Sequence, residues 1–196
     1  YRCSYCIYSG NYAAERVHSD YCMDESDIDQ IIEEYFVGPN MPKHVSFYGG
    51  EPLLRFPLIR RLCNYLVDHR LPVGFAITTN GSLLQKPHIL DYLMVNGFRL
   101  NISYDGLNHD LYRRPIEDGL AANELLDMLQ YIKKQDERYF SDNVSLSVTL
   151  SPPYRLLENA RFFMKSPLLK NMKIGVNTVN EEENTFFEQF DMEQER

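Results

Sequence analysis

At 196 residues and 44% hydrophobic content the chain can bury one sizeable core, and no apolar run approaches the roughly 18 residues of a membrane span. Its net charge of −8 is concentrated between Glu181 and Arg196, where seven acidic residues face one basic residue for a balance of −6; the −2 left to the preceding 180 residues excludes a basic footprint for nucleic acid. Four cysteines are too few for a disulfide scaffold and suit a reducing, cytoplasmic setting, and no secretory signal is visible in the sequence as given.

The chain opens on Tyr1-Arg2-Cys3-Ser4-Tyr5-Cys6. Two thiols at C-x-x-C spacing are shared by zinc sites, thiol–disulfide redox pairs and iron–sulfur centres. Residues 7 to 25 lack a period and read as a long loop, a place where function often sits. Ser26 then caps a helix whose stripe is Ile28, Ile31, Ile32, Tyr35 and Phe36, ended by Gly38-Pro39. His44–Tyr48 alternates and reads as a strand entering the Gly49-Gly50-Glu51-Pro52 turn. A helix follows with Leu58, Ile59, Leu62, Tyr65 and Leu66 inward, then a strand from Val73 to Thr78 closed by Asn80-Gly81. Pro87 opens a third helix through Leu90, Leu93 and Met94, which Gly97 stops.

Phe98–Tyr104 is predicted as a strand ending in Asp105-Gly106. A fourth helix starts near Ala121 and presents Ala122, Leu125, Leu126, Leu129 and Ile132. Val144–Leu150 alternates as a strand and is broken by Pro152-Pro153. A fifth helix carries Leu156, Leu157, Ala160, Phe163 and Met164, and Met172–Val176 is the last strand. Phe186, Phe187 and Phe190 suit a short amphipathic turn in the acidic tail. Strand and helix alternating five times predict a parallel sheet wrapped by helices, in which sites lie at the C-terminal ends of the strands. Gly49-Gly50-Glu51, Thr79-Asn80-Gly81 and Asp105-Gly106 all fall at such ends.

Together these residues resemble the radical S-adenosylmethionine (SAM) enzymes. Cys3, Tyr5 and Cys6 match the second half of the family's C-x-x-x-C-x-x-C signature, Tyr48-Gly49-Gly50-Glu51-Pro52 its GGEP turn, and Thr78-Thr79-Asn80-Gly81 its T-N-G turn. Ser103-x-Asp105-Gly106 with His109-Asp110 and Arg113-Arg114 is similar to the sulfatase-maturase and peptide-maturase branch, which bears a C-terminal SPASM or related domain. The resemblance implies a partial (β/α)6 TIM-like barrel over residues 1–180, with 181–196 leading to a further C-terminal region. It also implies a first strand and a first cluster cysteine, four residues before Cys3, outside the chain as given.

The implied cofactors are a [4Fe–4S] cluster and S-adenosyl-L-methionine. One electron from a flavodoxin- or ferredoxin-like donor cleaves the sulfonium to a 5′-deoxyadenosyl radical, which takes hydrogen from a peptide or protein substrate. Cys3 and Cys6 are the expected ligands; the alternatives are a redox pair and a zinc site completed by His18 and Cys22. Tyr5 is expected over the cluster or the adenine, or else as core packing. Gly49 and Gly50 let backbone approach a ligand, Glu51 suits its ammonium group and Pro52 fixes the turn. Thr79 and Asn80 bond the ribose or substrate, or only mark a turn. Ser103 is an expected SAM contact. His109, Asp110 and Arg113 or Arg114 hold the cofactor carboxylate or form a surface ion-pair cluster. Cys63 reads as a buried small hydrophobe. No general acid or base stands out. The rival readings are a sulfatase-type or small-metabolite enzyme of the same chemistry, and a binding protein whose barrel has lost its cluster.

Overall fold

The computed structural model describes residues 3–6, 22–113, 120–179 and 185–191. The chain builds a five-stranded sheet in which every neighbouring pair is parallel and the strands follow sequence order. These are β1 (His44–Phe47), β2 (Gly74–Thr79), β3 (Arg99–Ser103), β4 (Val144–Leu150) and β5 (Lys173–Thr178). Between and before them run α1 (Glu25–Tyr35), α2 (Phe56–Asp68), α3 (Pro87–Val95), α4 (His109–Tyr112), α5 (Ala122–Gln135), α6 (Glu137–Asn143) and α7 (Leu156–Lys165). All five predicted strands are present. No helix among the described residues is long and apolar enough to cross a membrane.

The three central strands, β2, β3 and β4, each have two unlike faces. Phe75, Ile77, Leu100, Ile102, Val144, Leu146 and Val148 are buried in one core with Leu62, Leu66, Leu90, Leu93, Leu125, Leu129 and Ile132 of the helices. Removing that apolar face from water is the main stabilising term of the fold. The opposite face is polar: strand register aligns Thr78 with Asn101 and Ser145, and Ser103 with Ser147. Period-2 alternation produces both faces at once.

Local chemistry explains the element ends. Asp24, not Ser26, is the N-cap of α1; its carboxylate accepts from the Ser26 and Asp27 N–H groups, and Asp27 reaches back to the Asp24 N–H at 2.7 Å. Pro87 sits in the first turn of α3 as predicted, and Gly97 follows its end at φ 65°. The fifth predicted helix, α7, is rotated from its expected face. Leu156, Leu157, Ala160 and Met164 are exposed, while Asn159 and Phe163 are buried. Asn159 turns inward because its Oδ1 accepts the Leu107 N–H at 2.9 Å, in the turn that follows β3. Tyr35 of the α1 stripe is also exposed. Helix α6 has no counterpart in the sequence prediction, and β5 runs two residues further than expected, to Thr178.

Candidate functional site

A cavity of about 440 Å³ opens at the C-terminal ends of the strands. Its wall includes Tyr48, Gly49 and Gly50 after β1 and also Asn177 and Thr178 of β5. A flat sheet would separate β1 from β5 by roughly four strand spacings, ~19 Å. Residues from both edges border one small cavity, so the sheet curls around it with its polar face inward.

The C-x-x-C loop sits at this rim. Cys3 and Cys6 both line the cavity, and the Cys6 N–H donates to the Cys3 carbonyl at 2.9 Å, closing a tight turn. Tyr5, between them, also borders the cavity but is largely buried. Its ring meets Tyr112 and Phe186 edge-on, and its hydroxyl donates to Asp105 Oδ2. The tail turn Thr185–Gln189 thereby packs on the cysteine loop: Phe186 is 2% exposed and forms a small apolar cluster with Tyr5 and Val179. The expected amphipathic turn is there, with its apolar side on the site.

Asp105 is fully buried and is the hub of the rim. Oδ1 accepts the Thr149 N–H at 2.8 Å, and Oδ2 accepts from Tyr5 and from Arg113 Nε at 2.6 Å. Arg113 donates through Nη2 to Thr149 Oγ1 at 3.1 Å and through Nη1 to Cys3 Sγ at 3.8 Å. The Arg113 guanidinium also lies over the Tyr5 ring, 5.4 Å from its centroid. Burial pushes the Cys3 thiol up, and Arg113 beside it pulls the other way. Burial also raises the Tyr5 phenol well above its ordinary range, assisted by Asp105, so Tyr5 stays a donor.

Gly49 and Gly50 border open space, where an added Cβ would meet nothing within 4 Å, and Gly49 has φ 146°. Glu51 is placed differently from its two glycine neighbours. It is buried behind the rim, with Oε1 accepting from the Leu53 N–H at 3.1 Å and Thr79 Oγ1 at 2.8 Å, and Oε2 from the Asn80 N–H at 2.8 Å. Burial raises its carboxyl pKa, and these three donors oppose the rise. Glu51 ties the turn after β1 to the turn after β2. Pro52 opens the 3₁₀ turn Pro52–Arg55 and does not line the cavity.

Thr79, Asn80 and Ser103 do line it, and Asn80 Nδ2 is buried without a protein partner. His109 is buried away from the cavity against Tyr104; its Nδ1 faces the Asp105 N–H and its Nε2 the Leu120 carbonyl. Burial lowers its pKa, which favours the neutral ring these two contacts suit. Asp110 accepts the Ala122 N–H at the start of α5. Arg114 and His18 lie outside the described residues, Cys22 is exposed and does not line the cavity, and Cys63 is a fully buried thiol raised by burial to about 12. The sequence reading did not nominate Asn101, Ser147, Thr149 and Asn177, although they line the cavity. The signal was present: each is a polar residue alternating with an apolar one along β3, β4 or β5.

Two thiols on one tight turn, a cation beside one of them and a glycine rim open to ligand stand together at the C-terminal rim of a parallel α/β sheet. Residues 1–144 match the Radical SAM superfamily, and the chain belongs to that family. It is 27% identical over 158 residues to the radical SAM cyclopropyl synthase TigE of Paramaledivibacter caminithermalis, across 75% of this chain and 33% of TigE. A GTP 3′,8-cyclase of Staphylococcus carnosus is 27% identical across 67% of this chain and 38% of the cyclase. Among solved structures, anSMEcpe with bound AdoMet superposes with a TM-score of 0.64 at 19% identity, across 91% of this chain and 48% of that one. The chain thus spans less than half the length of these relatives. The structural likeness establishes the fold, a partial barrel of parallel strands.

Proposed function

We propose that the intact protein is a radical SAM enzyme that modifies a peptide or protein substrate. One observation supports this above the others: the cysteine loop, the glycine turn and the polar strand ends, far apart in sequence, line a single cavity in a chain of this superfamily. Cys3 and Cys6 fit as two thiolate ligands of a [4Fe–4S] cluster, for both face the cavity and a guanidinium offsets the negative charge such a group brings. Among the described residues no group of three or more His, Cys, Asp or Glu is gathered to hold a metal, so the described part supplies two ligands. When bound, the cluster and SAM supply reductive cleavage of the sulfonium and a 5′-deoxyadenosyl radical, with the electron coming from a flavodoxin- or ferredoxin-like donor.

The chain's own residues bind and orient. Backbone at Gly49 and Gly50 approaches a ligand without side-chain interference, and Asn80 Nδ2 offers a donor to it. Ser103 Oγ lies at the same rim. The peptide reading draws support from the lining itself. Asn101, Ser103, Ser147, Thr149 and Asn177 are neutral amides and hydroxyls, matched to the amides of a polypeptide. A polyphosphate substrate would need cations, and Arg113, the cation among the described lining residues, is already paired to Asp105.

The test uses the intact protein, reconstituted with iron and sulfide without oxygen, then given dithionite and SAM. Mass spectrometry is expected to find 5′-deoxyadenosine, and to find none with Cys3→Ala. A wild-type protein that takes up no iron overturns the proposal in favour of a cluster-less binding barrel.

A further inference from the structure

We infer that Arg113 sets the reduction potential of the cluster through the Cys3 sulfur, and that Asp105 is the positioning residue that aims it. This rests on the proposed function, because it concerns the cluster that Cys3 would help to hold.

Arg113 is fixed at all three nitrogens. Nε is 2.6 Å from Asp105 Oδ2, Nη2 is 3.1 Å from Thr149 Oγ1, and Nη1 is 3.8 Å from Cys3 Sγ. Its side chain is only 12% exposed, so solvent and salt screen its charge little. The Asp105 carboxylate that holds it is itself engaged by the Thr149 N–H at the end of β4 and by the Tyr5 hydroxyl of the cysteine loop. The same carboxylate therefore ties the sheet, the guanidinium and the loop between Cys3 and Cys6 into one rigid unit.

A cation and an N–H donor at a ligating sulfur stabilise the more negative, reduced state of an iron–sulfur cluster, and so raise its potential. Of the charged partners of this unit, the guanidinium is the one in contact with the sulfur; the Asp105 carboxylate is engaged with Tyr5, Thr149 and Arg113. The arrangement also answers why a buried ion pair stands at the edge of a cavity lined by neutral groups. With Nε and Nη2 engaged by Asp105 and Thr149, the group is oriented by protein atoms before any ligand arrives.

The test compares wild type, Arg113→Gln and Arg113→Lys as intact, anaerobically reconstituted proteins. The readouts are iron per chain and the midpoint potential of the cluster whose electron paramagnetic resonance signal changes when SAM is added. Arg113→Gln is expected to move the midpoint to lower potential, and Arg113→Lys, which keeps the charge, to recover most of that shift. Loss of iron in Arg113→Gln but not in Arg113→Lys, with a near-wild-type midpoint in the latter, also supports the inference. An unshifted Arg113→Gln with full iron overturns it. So does an equal shift, or an equal loss of iron, in both variants, which marks a purely structural tie. A wild-type protein without a cluster overturns the proposed function as well, so the two failures are distinguishable.

Discussion

Glu51 accepts hydrogen bonds from the Leu53 N–H, Thr79 Oγ1 and the Asn80 N–H, and a carboxylate is the side chain that can take all three. Glu51→Gln replaces one oxygen by a donor. Whichever way the amide turns, it sets an NH2 group against a backbone N–H, that of Asn80 or that of Leu53. A buried donor left without an acceptor costs about 1–3 kcal/mol. Chemical denaturation near neutral pH is expected to show a loss of that size, and a loss below about 0.5 kcal/mol, within the range of surface substitutions, would sink the account. The sequence reading matched Glu51 to a ligand's ammonium group, whereas its carboxylate here is engaged by protein donors. From Gly49-Gly50-Glu51-Pro52 alone, the carboxylate is as free to face a ligand as to face inward. What decides is the turn after β2, 28 residues away, whose Thr79 hydroxyl and Asn80 N–H both donate to this carboxylate. The same holds for Asp105: Asp-Gly reads as an ordinary turn until Arg113, Tyr5 and Thr149 are brought to it.

At the scale of elements, Gly106 fixes how α7 docks on the end of β3. Its φ is +63°, and a Cβ there would run into Asn159 Oδ1 and lie 3.0 Å from Phe163 Cε2. Gly106→Ala therefore imposes backbone strain and pushes on the Asn159 contact that satisfies the Leu107 N–H. The expected cost is on the order of 2 kcal/mol. Adding Asn159→Ala relieves the clash, so the double variant is expected to lose less than the sum of the two single losses. Additive losses would show that the two residues do not meet. Strands and turns were legible because their signals are local: alternation in Val144–Leu150, Pro87 at a helix start, Gly97 at a helix end. The buried face of α7 was not. Its sequence offers two stripes, and the more hydrophobic one, with Leu156, Leu157 and Met164, faces out because the turn after β3 needs the Asn159 oxygen. Helix α6 escaped notice because seven residues are too few to display a stripe.

For the molecule as a whole, the curled sheet separates two jobs. The outer face holds the fold together, and the inner face holds open a polar cavity, so equal-sized changes on adjacent residues of one strand should have opposite consequences. Leu146 is fully buried in the core, and Leu146→Ala is expected to cost about 2–5 kcal/mol. Ser147, the next residue, lines the cavity and accepts one exposed hydrogen bond from Asn177 Nδ2 at 3.2 Å. Ser147→Leu loses that single contact, worth about 0.5–1.5 kcal/mol, and projects a branched side chain into the cavity of about 440 Å³. In the reconstituted intact protein, the variant is expected to keep its iron and to unfold close to wild type. Its kcat/KM for SAM cleavage should fall at least tenfold, a transition-state penalty of about 1.4 kcal/mol. If Ser147→Leu instead cleaves SAM at the wild-type rate and KM, the cofactor does not use this cavity. The polar strand ends would then be a wet surface of the sheet, and the cysteine loop would have to face its ligand from another side.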